Sequence, residues 1–270
     1  NQCNYANQMA RRPYNPNSLA TGIVGCHTRR TVLIMTSNDI STLLRNWPHE
    51  PGKLNVRIFE AEDGRECIQL RIELGVVQME LHGRPDGIEQ EGCSSLLAMY
   101  ESQGISEGLS PNACRQLREE GVQRSHRAAA LFALSRFEDV IRDCNRNLAI
   151  FDLCNTHALD EQDTIALEQF RPAGIALRTR ASAEWAVSLE NTTEAMASLD
   201  EGLEILVSLL GDEADHSNEV QLLRGMKEAL VPRLPTSERV DLQERLASAI
   251  ANENYELAAI LRDEIRLLRD

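Results

Sequence analysis

The chain has 270 residues, of which 42% are apolar and 26% charged, a composition normal for one or two globular domains. Its formal net charge of −14 disfavours direct binding to the phosphate backbone of DNA or RNA. No apolar run approaches the roughly 20 residues that a membrane span needs. Aromatic residues make up only 4%, which favours helix over a β-sandwich. We therefore expect a cytoplasmic protein, mostly α-helical, whose partner is a protein or a small molecule.

The cysteines, histidines and short motifs of the chain indicate no catalytic chemistry. The seven cysteines are odd in number and form no C-x-x-C pair, and no two of the six histidines lie at metal-ligand spacing. The chain also lacks the phosphate-binding G-x-x-x-x-G-K-[ST] loop, the G-x-S-x-G serine motif and H-E-x-x-H. We therefore predict free thiols, no cofactor, no metal site and no enzymatic activity.

The first 38 residues carry Asn, Gln, Arg, Pro and Ser without an apolar period, so we predict a disordered tail over 1–38. Met35 stands just before the first sequence with a structured pattern. We expect the native start to lie near Met35, with residues 1–34 an upstream read-through or a tail.

Residues 39–90 predict a short helix followed by three antiparallel strands. The helix over 39–46 is broken by the Trp-Pro-His-Glu-Pro-Gly segment at 47–52, since two prolines and a glycine cannot continue it. Apolar and polar residues then alternate, which is typical of half-buried strands, and Asp63-Gly64 marks a turn. The predicted strands are 54–58, 68–74 and 77–81, a meander with one face towards solvent that helices must cover on the other.

Residues 91–231 predict an α-helical body that contains two similar units. The segments 137–150 and 192–205 align, each follows an alanine-rich helix, and residues 160–172 must add a further helix between them. These units resemble tetratricopeptide repeats in their small and large packing residues: Ala128, Leu131, Phe137, Val140 and Leu148 in the first, and Ala183, Ala195 and Leu203 in the second. Arg124 and Thr179 stand where that family has Trp, and the units are 55 residues apart rather than about 34. An unrelated helical domain is the alternative.

Two prolines place a linker at 232–238, and a helical hairpin is predicted over 239–270. In its first helix, four apolar residues share one face: Leu242, Leu246, Ala249 and Ile250. In its second, a narrow seam repeats at intervals of three and four: Ala258, Leu261, Ile265 and Leu268. Asn254 is a good N-cap for the second helix. Some 30 residues bury too little surface to fold robustly alone, so we expect this seam to meet the body, a second copy or another protein.

Residues 239–270 resemble the UVR motif, the small helical hairpin of UvrB and UvrC. The specific core is aromatic-Glu-x-Ala-Ala-x-x-Arg-Asp, from Tyr255 to Asp263. The resemblance implies a contact module between proteins. The residues it places at the protein-binding surface are Leu246, Ile250, Tyr255, Glu256, Ala258, Ala259, Arg262, Asp263 and Ile265.

The whole chain also resembles a planctomycete bacterial family that ends in this motif. The segments 47–52, 68–71 and 82–87 carry that likeness, and it implies no activity.

Three functions follow from these observations. The favoured one is an adaptor of the α+β class, mostly α, with a β meander, a tetratricopeptide-like body and a UVR-type hairpin that binds a partner or a second copy. The alternative is a small-molecule-binding or enzymatic domain whose loops 47–52 and 82–87 flank one cleft, with the hairpin as an oligomerisation element. A further alternative is an accessory factor of nucleotide excision repair.

Overall fold

The computed structural model describes residues 39–231, 236–252 and 254–267. The predicted disordered tail and the proposed start at Met35 lie outside these residues. Residues 40–270 belong to one compact unit that is mostly helical and contains a three-stranded antiparallel sheet, as the sequence predicts. Within the described ranges, no helix combines the length and the apolar character that crossing a bilayer requires.

The sheet is the predicted meander, with strands β1 (Asn55–Glu60), β2 (Glu66–Ile72) and β3 (Gly75–Glu80) in sequence order. It follows a short helix, α1 (Ser41–Asn46). The prediction that strand alternation continues to residue 74 is wrong. Ile72 pairs with Gly75, so the chain reverses at the two residues between them, and Leu74 is 89% exposed in that turn. Apolar alternation alone does not mark where a strand ends.

The two faces of the sheet are covered differently. Apolar side chains of one face pack against the central helices in a shared core that includes Ile68 and Met79. The opposite face is polar but is not fully exposed to solvent, since Gln69 in the middle strand is only 6% exposed. Trp47 covers it: the Arg57 guanidinium lies 4.2 Å from the Trp47 ring centroid, and Arg71 donates a hydrogen bond to the Trp47 carbonyl (2.8 Å).

Seven helices form the body: α2 (Leu96–Gln103), α3 (Pro111–Ala133), α4 (Phe137–His157), α5 (Glu161–Glu168), α6 (Arg171–Ser188), α7 (Thr192–Leu210) and α8 (Asn218–Leu230). A short 3-10 helix, Gly211–His216, joins the last two. Serine hydroxyls cap α2, α3 and α8 by accepting a backbone hydrogen bond in the first turn. Consecutive long helices pack side by side, α3 on α4, α4 on α6, α6 on α7 and α7 on α8. The extra helix expected within 160–172 is α5.

The two similar units are both helix, tight turn, helix, with the same turn. Ser135 and Glu190 occupy equivalent places, 55 residues apart, and both have left-handed backbone (φ 56° and 60°). In each turn the next N–H bonds back to a carbonyl five residues earlier, Arg136 to Leu131 and Asn191 to Ala186. The units therefore repeat in geometry as well as in sequence, while their assignment to the tetratricopeptide family stays a prediction.

The helices of the two units are held together by different kinds of contact. In the first, Arg127 is fully buried and donates two bonds of 2.7 Å to Asp143 of the facing helix. Arg127 also donates to the carbonyls of Glu80 and Gly83, which ties the sheet to the helices. Arg124, where the predicted resemblance to tetratricopeptide repeats would place Trp, pairs with the buried Glu120 at 2.8 Å. This network replaces the apolar contact that an aromatic residue would make.

In the second unit the equivalent residue, Thr179, lies against a helical glycine. A methyl group added at Gly202 would stand 2.2 Å from the Thr179 Oγ1 atom. The helices α6 and α7 approach closely because Gly202 has no side chain. A glycine is tolerated within α7 for this packing reason, although glycine costs about 1 kcal/mol of helix propensity relative to alanine.

The last two helices are α9 (Thr236–Ala251) and α10 (Tyr255–Leu267), a pair that we call the hairpin. The helix α9 begins within the predicted linker, directly after Pro235, which can precede a helix but cannot continue one. Residues 232–235 of that linker lie outside the described ranges. The division into the domains 39–90, 91–231 and 239–270 stays a prediction.

Candidate functional site

The hairpin has a small core of its own. Five buried side chains fill the space between its two helices: Leu242, Ala249, Ala258, Leu261 and Ile265. Asn254 is the predicted N-cap of α10, because its side-chain oxygen accepts a hydrogen bond from the N–H of Leu257 (3.2 Å). Small side chains at 249 and 258 let the two helices approach each other. The hairpin is therefore built on residues that the sequence pattern had placed on a seam open to a partner.

The predicted seam is closed by the hairpin itself. The seam residues of α10 face Leu242 and Ala249 of α9. Leu246 packs at the edge of the same core. Ile250 differs from the prediction, since it is 54% exposed. A contact between two helices takes one narrow stripe from each, and the residue next to Ala249 along the chain points about 100° away from it. Leu268 lies outside the described residues.

The predicted protein-binding residues divide into two groups. Ala258, Ile265 and Leu246 belong to the core or its edge and contribute to the shape of the hairpin. The others are exposed: Ile250, Tyr255, Glu256, Ala259, Arg262 and Asp263. Arg262 donates to the neighbouring Asp263 carboxylate at 3.1 Å, so this pair is local to α10. The structure brings the aromatic-Glu-x-Ala-Ala-x-x-Arg-Asp residues onto one helix, with Tyr255 69% exposed at its start.

One lysine ion-pairs the hairpin with the helical body. The Lys227 Nζ atom on α8 lies 2.7 Å from Asp200 on α7 and 2.9 Å from Glu264 on α10. Partial burial alone lowers the pKa of Lys227, but hydrogen bonds and charge attraction from the two carboxylates outweigh it and raise the pKa. Met196 of α7 adds an apolar contact to the hairpin core. Lys227 is one of only two lysines in the chain.

Beside this lysine, a cleft remains between the hairpin and the body. Its larger part is a cavity of about 580 Å³, and a second hollow of about 410 Å³ shares Lys227, Ile260 and Glu264 with it. Both are open to solvent along one side. Apolar side chains line the larger part from both walls: Met196, Leu242, Leu257, Ile260 and Leu261. The cleft is the place where the body and the hairpin together present an unfilled apolar surface.

The loops of the small-molecule alternative do not share the cavity beside 82–87. That cavity, of about 180 Å³, includes His82 and Arg84 but no residue of 47–52. Asp86 accepts hydrogen bonds from Arg84, Gln123 and the N–H of Ile88, which outweigh the effect of burial and lower its pKa. The carboxylate is engaged in holding its own turn. A single cleft between the two loops stays a prediction.

The described cysteines and acidic residues form no metal site. All five cysteines in the described ranges are free, and no group of three or more His, Cys, Asp or Glu there could hold an ion. Burial raises the pKa of Cys144 and Cys154 to about 12, so both stay protonated thiols at neutral pH. Cys3 and Cys26 lie outside the described residues.

Because α9 and α10 are short and share a narrow core of their own, they belong to the class of small helical hairpins. Residues 237–270 match the family model of the UvrB/uvrC motif, UVR, a helical hairpin known for protein–protein interaction. The predicted UVR-type hairpin is thereby confirmed. No curated protein matches the chain, and no solved structure matches it either. The resemblance of the whole chain to a planctomycete family stays a prediction.

Sequence reasoning missed the residues that form the cleft. Leu257 and Ile260 lie next to the predicted seam and were passed over because the three-and-four spacing selects Ala258 and Leu261. Lys227 and Met196 belong to α8 and α7, outside the hairpin's own sequence, so no pattern within the hairpin links them to it. The rarity of lysine in an arginine-rich chain is the signal that could have drawn attention to Lys227.

Proposed function

We propose that this chain is a non-enzymatic cytoplasmic adaptor that recruits a partner protein through its UVR hairpin. The observation that carries the proposal is the set of apolar side chains that the hairpin leaves exposed beside the five residues of its buried core. They are Val240, Ile250, Tyr255, Leu257 and Ile260. In a motif known for protein–protein interaction, such residues are the natural contact points, because burying them on association supplies most of the binding free energy.

The rest of the chain supports a scaffold in this proposal. Helices α7 and α8 of the body hold the hairpin through Met196 and Lys227. The net charge of −14 directs the proposal to proteins rather than nucleic acid. Self-association through the hairpin is the second form of the same proposal. A role in nucleotide excision repair would rest on the motif alone, and the adaptor proposal does not depend on it.

The experiment compares partners captured from a native lysate by the full chain and by a full-length variant that carries both Ile250→Gln and Ile260→Gln. Glutamine removes apolar surface without adding charge and is compatible with a helix. We expect at least one protein to be captured at least fivefold less by the double variant, since burying an isoleucine side chain in a contact contributes about 1.5–3 kcal/mol.

The matched control is Ile165→Gln on α5, which is 54% exposed, as Ile250 is, but lies outside the hairpin. It should capture the same proteins as the unchanged chain. Identical capture by all three, together with the same sedimentation coefficient, would refute recruitment and self-association by the hairpin alike.

A further inference from the structure

We infer that the cleft between the hairpin and helices α7 and α8 is the docking site, and that it takes an amphipathic helix with basic flanks from another protein. This inference rests on the proposed function and specifies which surface of the hairpin is used. The seam residues Ala258, Leu261 and Ile265 are already buried in the core between α9 and α10, so they do not form the main contact with a partner. The apolar residues that remain are therefore on the cleft side or on the outer side of the pair.

The shape of the cleft fits the edge of a helix. Its two parts, of about 580 and 410 Å³, share three lining residues, one of which is Lys227. Ile260 lines both, and Leu203 and Val231 of the body extend the apolar wall in the smaller part. Volumes of this size are typical of specific binding clefts, and recognition of an amphipathic helix places successive apolar side chains in one groove.

The charges around the cleft select a basic partner. Five carboxylates line its two parts: Asp200, Asp241, Glu264, Glu228 and Asp263. Three cations line them as well: Lys227, Arg224 and Arg245. Lys227 lies between Asp200 and Glu264, and Arg224 is paired with Asp215 at 2.9 Å. The five carboxylates exceed the three cations by two, so the lining keeps an excess of negative charge. The potential at the mouth is therefore negative, in a chain whose net charge is −14. Lys or Arg on the flanks of the incoming helix would complement it, whereas a second copy of this acidic chain would be repelled.

The test uses two designed 20-residue amphipathic peptides with the same leucine face, one with Lys and Arg flanks and one with Glu flanks. Binding to the full chain is measured by fluorescence anisotropy at 150 mM salt. We expect the basic peptide to bind at least tenfold more tightly than the acidic one. Ile260→Gln should weaken its binding at least fivefold, and Glu228→Lys on the body wall should weaken it severalfold.

The matched control is Ile250→Gln. Ile250 and Ile260 are the same residue type on the same hairpin, exposed to 54% and 53%, but Ile250 lines neither part of the cleft. Its substitution should change binding of the basic peptide by less than twofold. Circular dichroism and thermal melting of each variant establish that the fold is retained.

Three results would overturn the inference. Equal binding of both peptides would remove the charge selection, and a loss with Ile250→Gln but not with Ile260→Gln would move the site to the outer side of the hairpin. Dissociation of a dimer by Ile260→Gln, seen by sedimentation, would make a second copy the occupant. Each of these leaves the lysate comparison above unaffected, so failure of this inference and failure of the adaptor proposal are distinguishable.

Discussion

The helical body and the hairpin are stabilised in different ways. The body combines a continuous apolar core that runs through α2 to α8 with a fully buried ion network between α3, α4 and the sheet. The hairpin has five core residues of its own and meets the body through Lys227 and Met196. The difference indicates that the hairpin can move or open at a cost far below that of unfolding the body.

The largest effect is expected where the body depends on buried charge. Arg127→Met removes both hydrogen bonds to Asp143 and leaves the carbonyls of Glu80 and Gly83 without their donor. We expect the free energy of unfolding in urea to fall by about 3–5 kcal/mol, since the buried Asp143 carboxylate would keep only its longer contacts with Arg124 (3.7 Å) and Arg142 (3.5 Å). The double variant Arg127→Met with Asp143→Leu should recover part of this loss. A single variant within about 1 kcal/mol of the unchanged chain would contradict the role of the network.

The next largest effect is expected to distinguish the stability of the hairpin from that of the body. Leu261→Ala creates a cavity in the hairpin core and should destabilise it by about 2–3 kcal/mol. Hydrogen exchange should then lose protection at the amides of α9 and α10, while the main unfolding transition of the body stays within about 0.5 kcal/mol. Leu199→Ala, at a fully buried site in α7, is the control that should shift the body transition. Equal shifts for both variants would show that hairpin and body unfold as one unit.

A smaller effect is expected within the body at its second repeat. Gly202→Ala should destabilise the chain by about 1–3 kcal/mol, because the new methyl group would overlap Thr179 across the α6–α7 contact. Gly225→Ala on α8 is the matched control, since nothing lies within 4 Å of the added methyl group, and it should stabilise the chain by up to about 1 kcal/mol. Chemical denaturation monitored by circular dichroism measures both. Effects of the same sign would refute close helix packing at residue 202.

The smallest effect concerns the ionic contact of the hairpin with the body. Lys227→Met should weaken the association of the hairpin with the body by about 1 kcal/mol or less, because Asp200 is 56% exposed and solvent partly screens its ion pair with Lys227. The folded state raises the lysine pKa above the ordinary 10.5. Its contribution is therefore complete below pH 10.5 and is lost as the pH rises through the raised value.

Energy transfer between dyes at residues 204 and 248, with the accessible cysteines replaced, follows this docking through an alkaline titration. The hairpin signal should change before the circular dichroism of the body does. Arg224→Met is the control, since its partner Asp215 belongs to the body. A docking signal that is independent of pH in the unchanged chain, or equal in the two variants, would rule out the lysine contact.

Local patterns in the sequence were sufficient to predict most of the elements, although not where each one ends. Alternation over 54–81 predicted the three strands, and the capping residues Ser95, Ser110 and Asn254 stand where helices begin. The 55-residue similarity predicted two units with one geometry. These features depend on neighbours within a few positions, so one sequence contains the necessary information.

The contacts between elements could not be read in the same way. The seam of the hairpin was correctly identified as apolar, but whether α10 turns it towards α9 or towards a partner depends on how the two helices pack. The exposure of Ile250 and the burial of Gln69 beneath Trp47 and Arg57 could not be predicted either, because each depends on residues distant in the chain.

The sequence by itself determined the UVR hairpin, the meander, the repeated helical units and the acidic charge, since periodicity, caps and composition specify these directly. Tertiary structure decided which apolar residues are consumed in the hairpin core, which remain exposed, and that Lys227 meets Glu264 beside a cleft. The physical reason is that burial is a property of pairs of surfaces. A helix carries several apolar stripes, and only packing selects the one that is covered.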